Sequence, residues 1–288
     1  MVRQSQIYRA ITFKDKARIA AIDTTDIVNQ LIKMHDLSPL ATAVLGRAIT
    51  LGAYISSNLK NSNHKFNLII NGGGPVGQIC VAGNGNLEIK GYLENPKVSL
   101  PFKDDKLDVG GAVGKNGYIS IIQDLGLKEL YTGSAKLVSG EIAIDYATYL
   151  LQSNGVKNAV ILGVLVDKNG CQASGGLIIE LMPGADENHI FVLEDIISLM
   201  SNFSSLLKEK TIEEIMDFYF GHFETTVLSN DKIKLKCDCN NKIPNILRGL
   251  GEYSVRKMLQ EDKEIEVKCD YCSKKYTFNE DLINKLFS

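Results

Sequence analysis

Near its end the chain carries Lys236-Cys237-Asp238-Cys239 and Lys268-Cys269-Asp270-Tyr271-Cys272, a C-x-C pair and a C-x-x-C pair with 29 residues between them. Four of the six cysteines sit here. Each pair presents two thiolates to one point, and two pairs complete a tetrahedral Cys₄ zinc site. Thiolate is also the species that oxidants attack, so the same residues can instead form two short-range disulfides. A permanent zinc staple and a reversible redox centre both fit the spacing. The C-x-C half favours reversibility: a one-residue spacer closes a tight ring, and a strained disulfide is more readily reduced.

The chain has 288 residues, enough for one large domain and a smaller one. Its first residues, MVRQSQIYRA, lack the apolar run of a signal peptide, and no uninterrupted apolar stretch suggests a membrane span. A soluble protein of a reducing compartment is expected, where paired cysteines favour metal or redox chemistry over fixed disulfides. The formal net charge of −2 argues against a nucleic-acid-binding protein, which would show a basic face.

Ile7, Arg9, Ile11 and Phe13, then Ala17, Ile19 and Ala21, alternate as strands do. Thr24 or Thr25 is placed to cap a helix carrying Ile27, Val28, Leu31 and Ile32. Ser38-Pro39 starts a second helix, with Leu40, Val44, Ala48, Leu51 and Ile55 at spacings of three and four. This helix reads as buried, with Gly46 and Gly52 permitting close packing. Strands are expected at 66–71, 77–82, 87–93, 118–125 and 131–139, with turns rich in Gly and Asn between them. Gly72-Gly73-Gly74-Pro75 leads into another strand and lacks the lysine and following helix of a phosphate-binding loop, so it reads as a hairpin connection. A helix over 141–152 and two strands, 156–167 and 171–182, joined by the Asn169-Gly170 turn, complete an α+β region. Cys80 and Cys171 lie within strand patterns and read as buried small apolar residues.

The pattern predicts one amphipathic helix over 187–209, with Ile190, Leu193, Ile196, Ile197, Met200, Phe203, Leu206 and Leu207 on one stripe. A shorter helix starts at Thr211. Nine acidic residues against Lys208 and Lys210 make the segment 185–230 acidic outside. It is either an ordinary helix pair packed on the sheet or a surface whose stripe can be uncovered for a partner. Residues 231–288 carry twelve basic and ten acidic residues, too balanced for a nucleic-acid-binding zinc ribbon. The core expected there is thin: Ile243, Ile246, Leu247, Leu250, Val255, Met258, Leu259, Ile265, Val267, Tyr276 and Phe278. Structural zinc contributes roughly 10–16 kcal/mol of apparent binding energy at neutral pH, so the metal is expected to decide whether this domain is folded. Oxidising the thiolates would withdraw that energy. A tail that unfolds would release whatever it covers, the adjacent acidic helices being the nearest candidate.

The sequence resembles the heat-shock protein 33 family of redox-regulated holdase chaperones over essentially its whole length. The resemblance rests on Ser38-Pro39, Gly46-Arg47, Gly91-Tyr92-Leu93-Glu94-Asn95-Pro96, Asp145-Tyr146 and Tyr149-Leu150-Leu151-Gln152-Ser153. It continues through the Gly175-Gly176 strand running to Pro183, the two cysteine pairs and Cys272-Ser273-Lys274-Lys275-Tyr276. It implies an α+β core domain over 1–183, a helical linker over 184–230 and a zinc-binding redox-switch domain over 231–288. It also implies a cytoplasmic, ATP-independent chaperone without catalytic activity. When reduced, Cys237, Cys239, Cys269 and Cys272 would hold one zinc ion. Under oxidative stress Cys237–Cys239 and Cys269–Cys272 would pair, zinc would leave, and the tail and linker would unfold. The active form, associated with dimers in the family, would then bind unfolding client proteins.

Three rival readings are a zinc-ribbon nucleic-acid module, a thiol oxidoreductase using Cys269-Asp270-Tyr271-Cys272, and an enzyme within the α+β region. Charge opposes the first. The lack of a thioredoxin-like βαβ setting opposes the second. Against the third, His35, His64, His189 and His222 are scattered, with no nucleophile elbow or metal-binding histidine pair.

Overall fold

Chain order in the computed structural model is β1 (Gln6–Thr12), β2 (Ala17–Asp23), α1 (Thr25–His35), α2 (Pro39–Ser57), β3 (Lys65–Asn71), β4 (Ile79–Asn84), β5 (Glu88–Leu93) and α3 (Val109–Val113). Then come β6 (Tyr118–Asp124), β7 (Tyr131–Lys136), α4 (Ile142–Asn154), β8 (Asn158–Asp167), β9 (Gly170–Leu181), α5 (Glu187–Leu199), α6 (Phe203–Glu209) and α7 (Ile212–Phe220). The last elements are β10 (Thr226–Lys232), β11 (Lys234–Leu235), α8 (Cys239–Leu250), α9 (Glu252–Asp262), β12 (Ile265–Lys268), β13 (Lys275–Phe278) and α10 (Glu280–Phe287). The structure describes residues 3–287, the side chain at position 154 excepted. Contacts divide the chain into two compact units, one ending at Leu235 and one beginning at Lys236.

The first unit is built around α2. Ser38 caps it, its hydroxyl accepting from the Ala41 N–H at 3.1 Å, and Pro39 supplies a preset first turn. Sixteen of its nineteen residues are buried, between a five-stranded sheet (β10-β1-β2-β9-β8) and a six-stranded sheet (β11-β5-β4-β3-β6-β7). By length and composition α2 could cross a membrane, but its apolar surface is taken up inside the protein. Both expected glycines earn their place: a Cβ on Gly46 would lie 2.8 Å from Val164 of β8, and one on Gly52 2.5 Å from Val81 of β4. These are points of close approach between the helix and each sheet. All pairings are antiparallel except β11 with β5. Gly72-Gly73-Gly74 lies in the β3–β4 connection, with Gly74 N–H bonded to the Val113 carbonyl at 3.0 Å and the Gly72 carbonyl to Asn116 N–H at 2.9 Å. Its polar backbone is spent within the fold.

Strand β2 shows how one run serves two cores. Ala20 and Ile22 face the α2 side, while Ala17, Ile19 and Ala21 face the opposite one. That opposite face is covered by α5, α6 and α7, which bury Leu193, Ile196, Met200, Phe203, Leu207, Ile215 and Phe220 against it. Polar ties hold the margins. Arg3 pairs with the buried Asp23 at 2.8 Å and donates to the Lys210 carbonyl at 2.6 Å, and Glu213 accepts from Asn230 at 2.5 Å.

The structure corrects four expectations. The helix expected over 187–209 is broken between Leu199 and Phe203, turning by 63°. Ser201 and Asn202 compete for backbone hydrogen bonds there, and the bend lets Met200 and Phe203 both reach the sheet. The residues at the end of the segment read as helical linker form strand β10, which pairs with β1. Thr24 is the N-cap residue of α1 but makes no capping bond. Asp23 accepts from Thr25 N–H at 2.9 Å, and the Thr24 hydroxyl turns to Thr50 and Ser174. In the second unit Ile246, Leu250 and Met258 are exposed rather than core. Ile283 of α10 is buried in their stead, and Leu286 packs beside it.

Candidate metal centre

Two short elements present the four cysteines. Cys237 precedes α8 and Cys239 is its first residue. Pro244 cannot donate to the carbonyl of Asn240, so side chains hold this first turn: Lys242 pairs with Asp238 at 2.9 Å, and Asn240 receives Lys274 at 2.8 Å. The other two cysteines sit in the connection of the β12–β13 hairpin. Cys269 N–H bonds to the Lys274 carbonyl at 2.9 Å and Ser273 N–H to the Cys269 carbonyl at 2.8 Å, Ser273 adopting a left-handed φ of 57°. That tight return brings Cys269 and Cys272 to one side.

The four sulfurs lie within 4.8 Å of one another. Cys237 and Cys269 are 3.7 Å apart and Cys239 and Cys272 3.3 Å. Zinc–thiolate bonds of about 2.3 Å in a tetrahedron place sulfurs roughly 3.8 Å apart, so the cluster fits a closed four-thiolate metal site. None of the four is in a disulfide. Among the described residues no other group of three or more His, Cys, Asp or Glu converges in this way.

Electrostatics single out Cys239. Burial pushes its thiol up, but hydrogen bonds from Tyr276 and from the other three thiols outweigh that and bring it down to about 7. The Tyr276 hydroxyl lies 2.9 Å from Cys239 Sγ and 2.5 Å from Asn240 Oδ1. Because Lys274 serves the same amide oxygen, the phenol proton can turn to a Cys239 thiolate without leaving Asn240 unsatisfied. Burial, followed by bonding to neighbouring thiols, leaves Cys272 above its ordinary value. Lys275 pairs with Glu266 at 2.9 Å, and Lys274 sits over the Tyr276 ring. Those two lysines are thus engaged by side chains around the centre.

A family model described as Hsp33 protein matches residues 5–279. The chain belongs to the Hsp33 family. It is 40% identical over 286 residues to a 33 kDa chaperonin of Clostridium perfringens strain SM101, covering 98% of this chain and 90% of that one. It is 39% identical to a 33 kDa chaperonin of Clostridium botulinum strain Eklund 17B, covering 98% and 97%. The crystal structure of the 33 kDa chaperonin of Thermotoga maritima, a heat shock protein 33 homologue, superposes with a TM-score of 0.90 at 32% identity, covering 99% and 98%. The α+β architecture is thus that of an Hsp33 chaperone, and its C-terminal cysteines form a cluster suited to a metal.

Sequence reasoning found all four sulfurs. It took Tyr276 as a core residue and did not find Asn240 as the partner of Tyr276 and Lys274. The adjacency of Asn240 to Cys239 was the only sequence signal; the contact itself is made across the hairpin.

Proposed function

We propose that this Hsp33-family chain is a redox-regulated, ATP-independent holdase. When reduced, Cys237, Cys239, Cys269 and Cys272 hold one Zn²⁺ as thiolates, and the chaperone is inactive. Bound there, zinc supplies the cross-link that a small core lacks. The observation that carries the reading is the convergence of four cysteine sulfurs, none of them in a disulfide, within 4.8 Å. Oxidation forms the Cys237–Cys239 and Cys269–Cys272 disulfides. Each thiolate pair gives up two electrons as its S–S bond forms. One peroxide takes them with two protons as its O–O bond breaks to give two waters, so two peroxides are consumed per chain. The ligand set is thereby withdrawn, with zinc release and unfolding of the C-terminal region.

The buried face of α5–α7, in the proposed linker 184–230, supports the next step. If these helices leave the sheet, Ala17, Ile19, Ala21, Leu177 and Ile179 are uncovered together with the helices' own stripe. An apolar surface of that kind suits unfolding client proteins and prevents their aggregation. The three-part division at 183/184 and 230/231, a homodimeric active form, a cytoplasmic location and the absence of catalysis belong to the same reading.

Mass mapping of the peroxide-treated chain tests the chemistry. Linked peptides should join Cys237 to Cys239 and Cys269 to Cys272. Dominant linkage of Cys237 to Cys269 and of Cys239 to Cys272, the pairs with 3.7 and 3.3 Å contacts, would contradict the proposed pairing.

A further inference from the structure

Where the chain crosses from one sheet of the first unit to the other, it places cations on one side. β10 ends at Lys232, Ile233 is buried in the core, and β11 begins at Lys234. Ile233 N–H bonds to the Ser5 carbonyl and Lys234 N–H to the Leu87 carbonyl, each near 3 Å, so the crossing is fixed to both sheets. With Ile233 turned inward, Lys232 and Lys234 both line a cleft of about 750 Å³, together with Arg9, Arg18 and Lys60. Asp231 is the only carboxylate among the lining residues. In a chain of net charge −2, this cleft gathers five cations against one anion.

The cations have two characters. Arg9 is held from three sides: Nε donates to Ser229 at 2.9 Å, Nη1 to the Ser57 carbonyl at 2.8 Å, and Nη2 pairs with Asp231 at 3.3 Å. A guanidinium has five N–H donors, so Arg9 is oriented with donors to spare. Arg18 is likewise positioned by Glu180 and Tyr54. Lys60, Lys232 and Lys234 are exposed and make no ion pair or side-chain hydrogen bond among the described residues. Two positioned guanidinium groups and three mobile point charges suit a ligand with several anionic oxygens in a row. A cleft lined by one sign of charge also concentrates such an anion. Its volume lies within the range usual for small-ligand sites.

We propose that this cleft binds an oligophosphate chain, either inorganic or as the phosphate tail of a nucleotide. No aromatic side chain lines it to stack a base, so the phosphates themselves are what it reads. The inference concerns binding alone and does not depend on the redox reading.

Titration calorimetry on the full-length reduced protein tests it, with inorganic tripolyphosphate and ATP as separate probes at 50 and 200 mM salt. Tripolyphosphate should bind at one site per chain and at least threefold more weakly at the higher salt. Lys232→Ala/Lys234→Ala should weaken it at least tenfold and Lys60→Ala by less, whereas Lys103→Ala/Lys106→Ala, on a separate exposed turn, should leave it unchanged. ATP binding with the same lysine dependence would add nucleotides as a source, and tripolyphosphate binding alone would identify the inorganic chain. No tripolyphosphate binding at millimolar concentration, binding of ATP only, or affinity untouched by Lys232→Ala/Lys234→Ala would overturn the proposal.

Discussion

Cys239 differs from the other three cysteines of the centre in what surrounds its sulfur. It is buried, opens α8 and lies 2.9 Å from the Tyr276 hydroxyl, and its thiol falls to about 7. In the reduced, metal-free protein, Tyr276→Phe should raise that value, and the pH midpoint of alkylation at Cys239 should move upward. An unmoved midpoint would mean that the phenol does not stabilise the thiolate. The sign of the linkage follows. A thiol lowered from an unfolded value of about 8.5 adds stability that is present above that value and lost as pH falls through about 7. Cys272, raised on folding, acts mainly above this window. The metal-free second unit should therefore melt at a lower temperature at pH 6 than at pH 8. Cys171 is the opposite case: burial, with Asp23 nearby, pushes it up to about 12, so it offers almost no thiolate. Cys171→Ser and Cys80→Ser should leave oxidant-triggered zinc release intact, and loss of that response in either would give it a part in the switch. The four clustered cysteines were legible because each pair is local in sequence. The Tyr276–Asn240 contact was not, because nothing in the spacing brings residue 240 to residue 276.

Among the elements, α5–α7 carry the most consequence. Their stripe was legible from its three-and-four spacing: Leu193, Ile196, Met200, Phe203 and Leu207 are buried on the sheet, Ile197 and Leu206 are half-buried beside them, and Ile190 is half-buried outside that cluster. The break at 200–202 was not legible, because Ser201 and Asn202 are weak helix breakers on their own and the burial of both Met200 and Phe203 against the sheet is a tertiary effect. β10 was also missed: Thr226–Lys232 is a half-polar edge strand whose assignment depends on pairing with β1 across the whole unit. Phe203, 1% exposed, joins α6 to the sheet. Phe203→Ala should destabilise this packing by about 3–5 kcal/mol and raise hydrogen exchange across α5–α7 before β1 or β2 is affected. On the proposed mechanism the same variant should suppress client aggregation at lower oxidant doses. Faster exchange without any such gain would separate the helices from client binding.

For the molecule as a whole, the contrast between its two units governs the account. The first is organised around a helix buried between two sheets. The second buries few large side chains, and its cysteines are themselves part of its core. On the proposed function, zinc held by these thiolates would add roughly 10–16 kcal/mol to that small core and decide the folded state. Serine at any one of Cys237, Cys239, Cys269 or Cys272 should lower zinc occupancy and make the segment after Lys236 protease-sensitive while the first unit stays resistant. Full zinc stoichiometry and unchanged digestion would contradict the assigned ligand set. The central claim is that loss of the metal and gain of chaperone activity are one event. Zinc release and suppression of aggregation of a denaturing client should be followed in the same sample through peroxide treatment with mild warming and then reductant. The two signals should rise together and reverse together. Zinc release with no gain in suppression would contradict the account, leaving a metal-stapled domain without a switch.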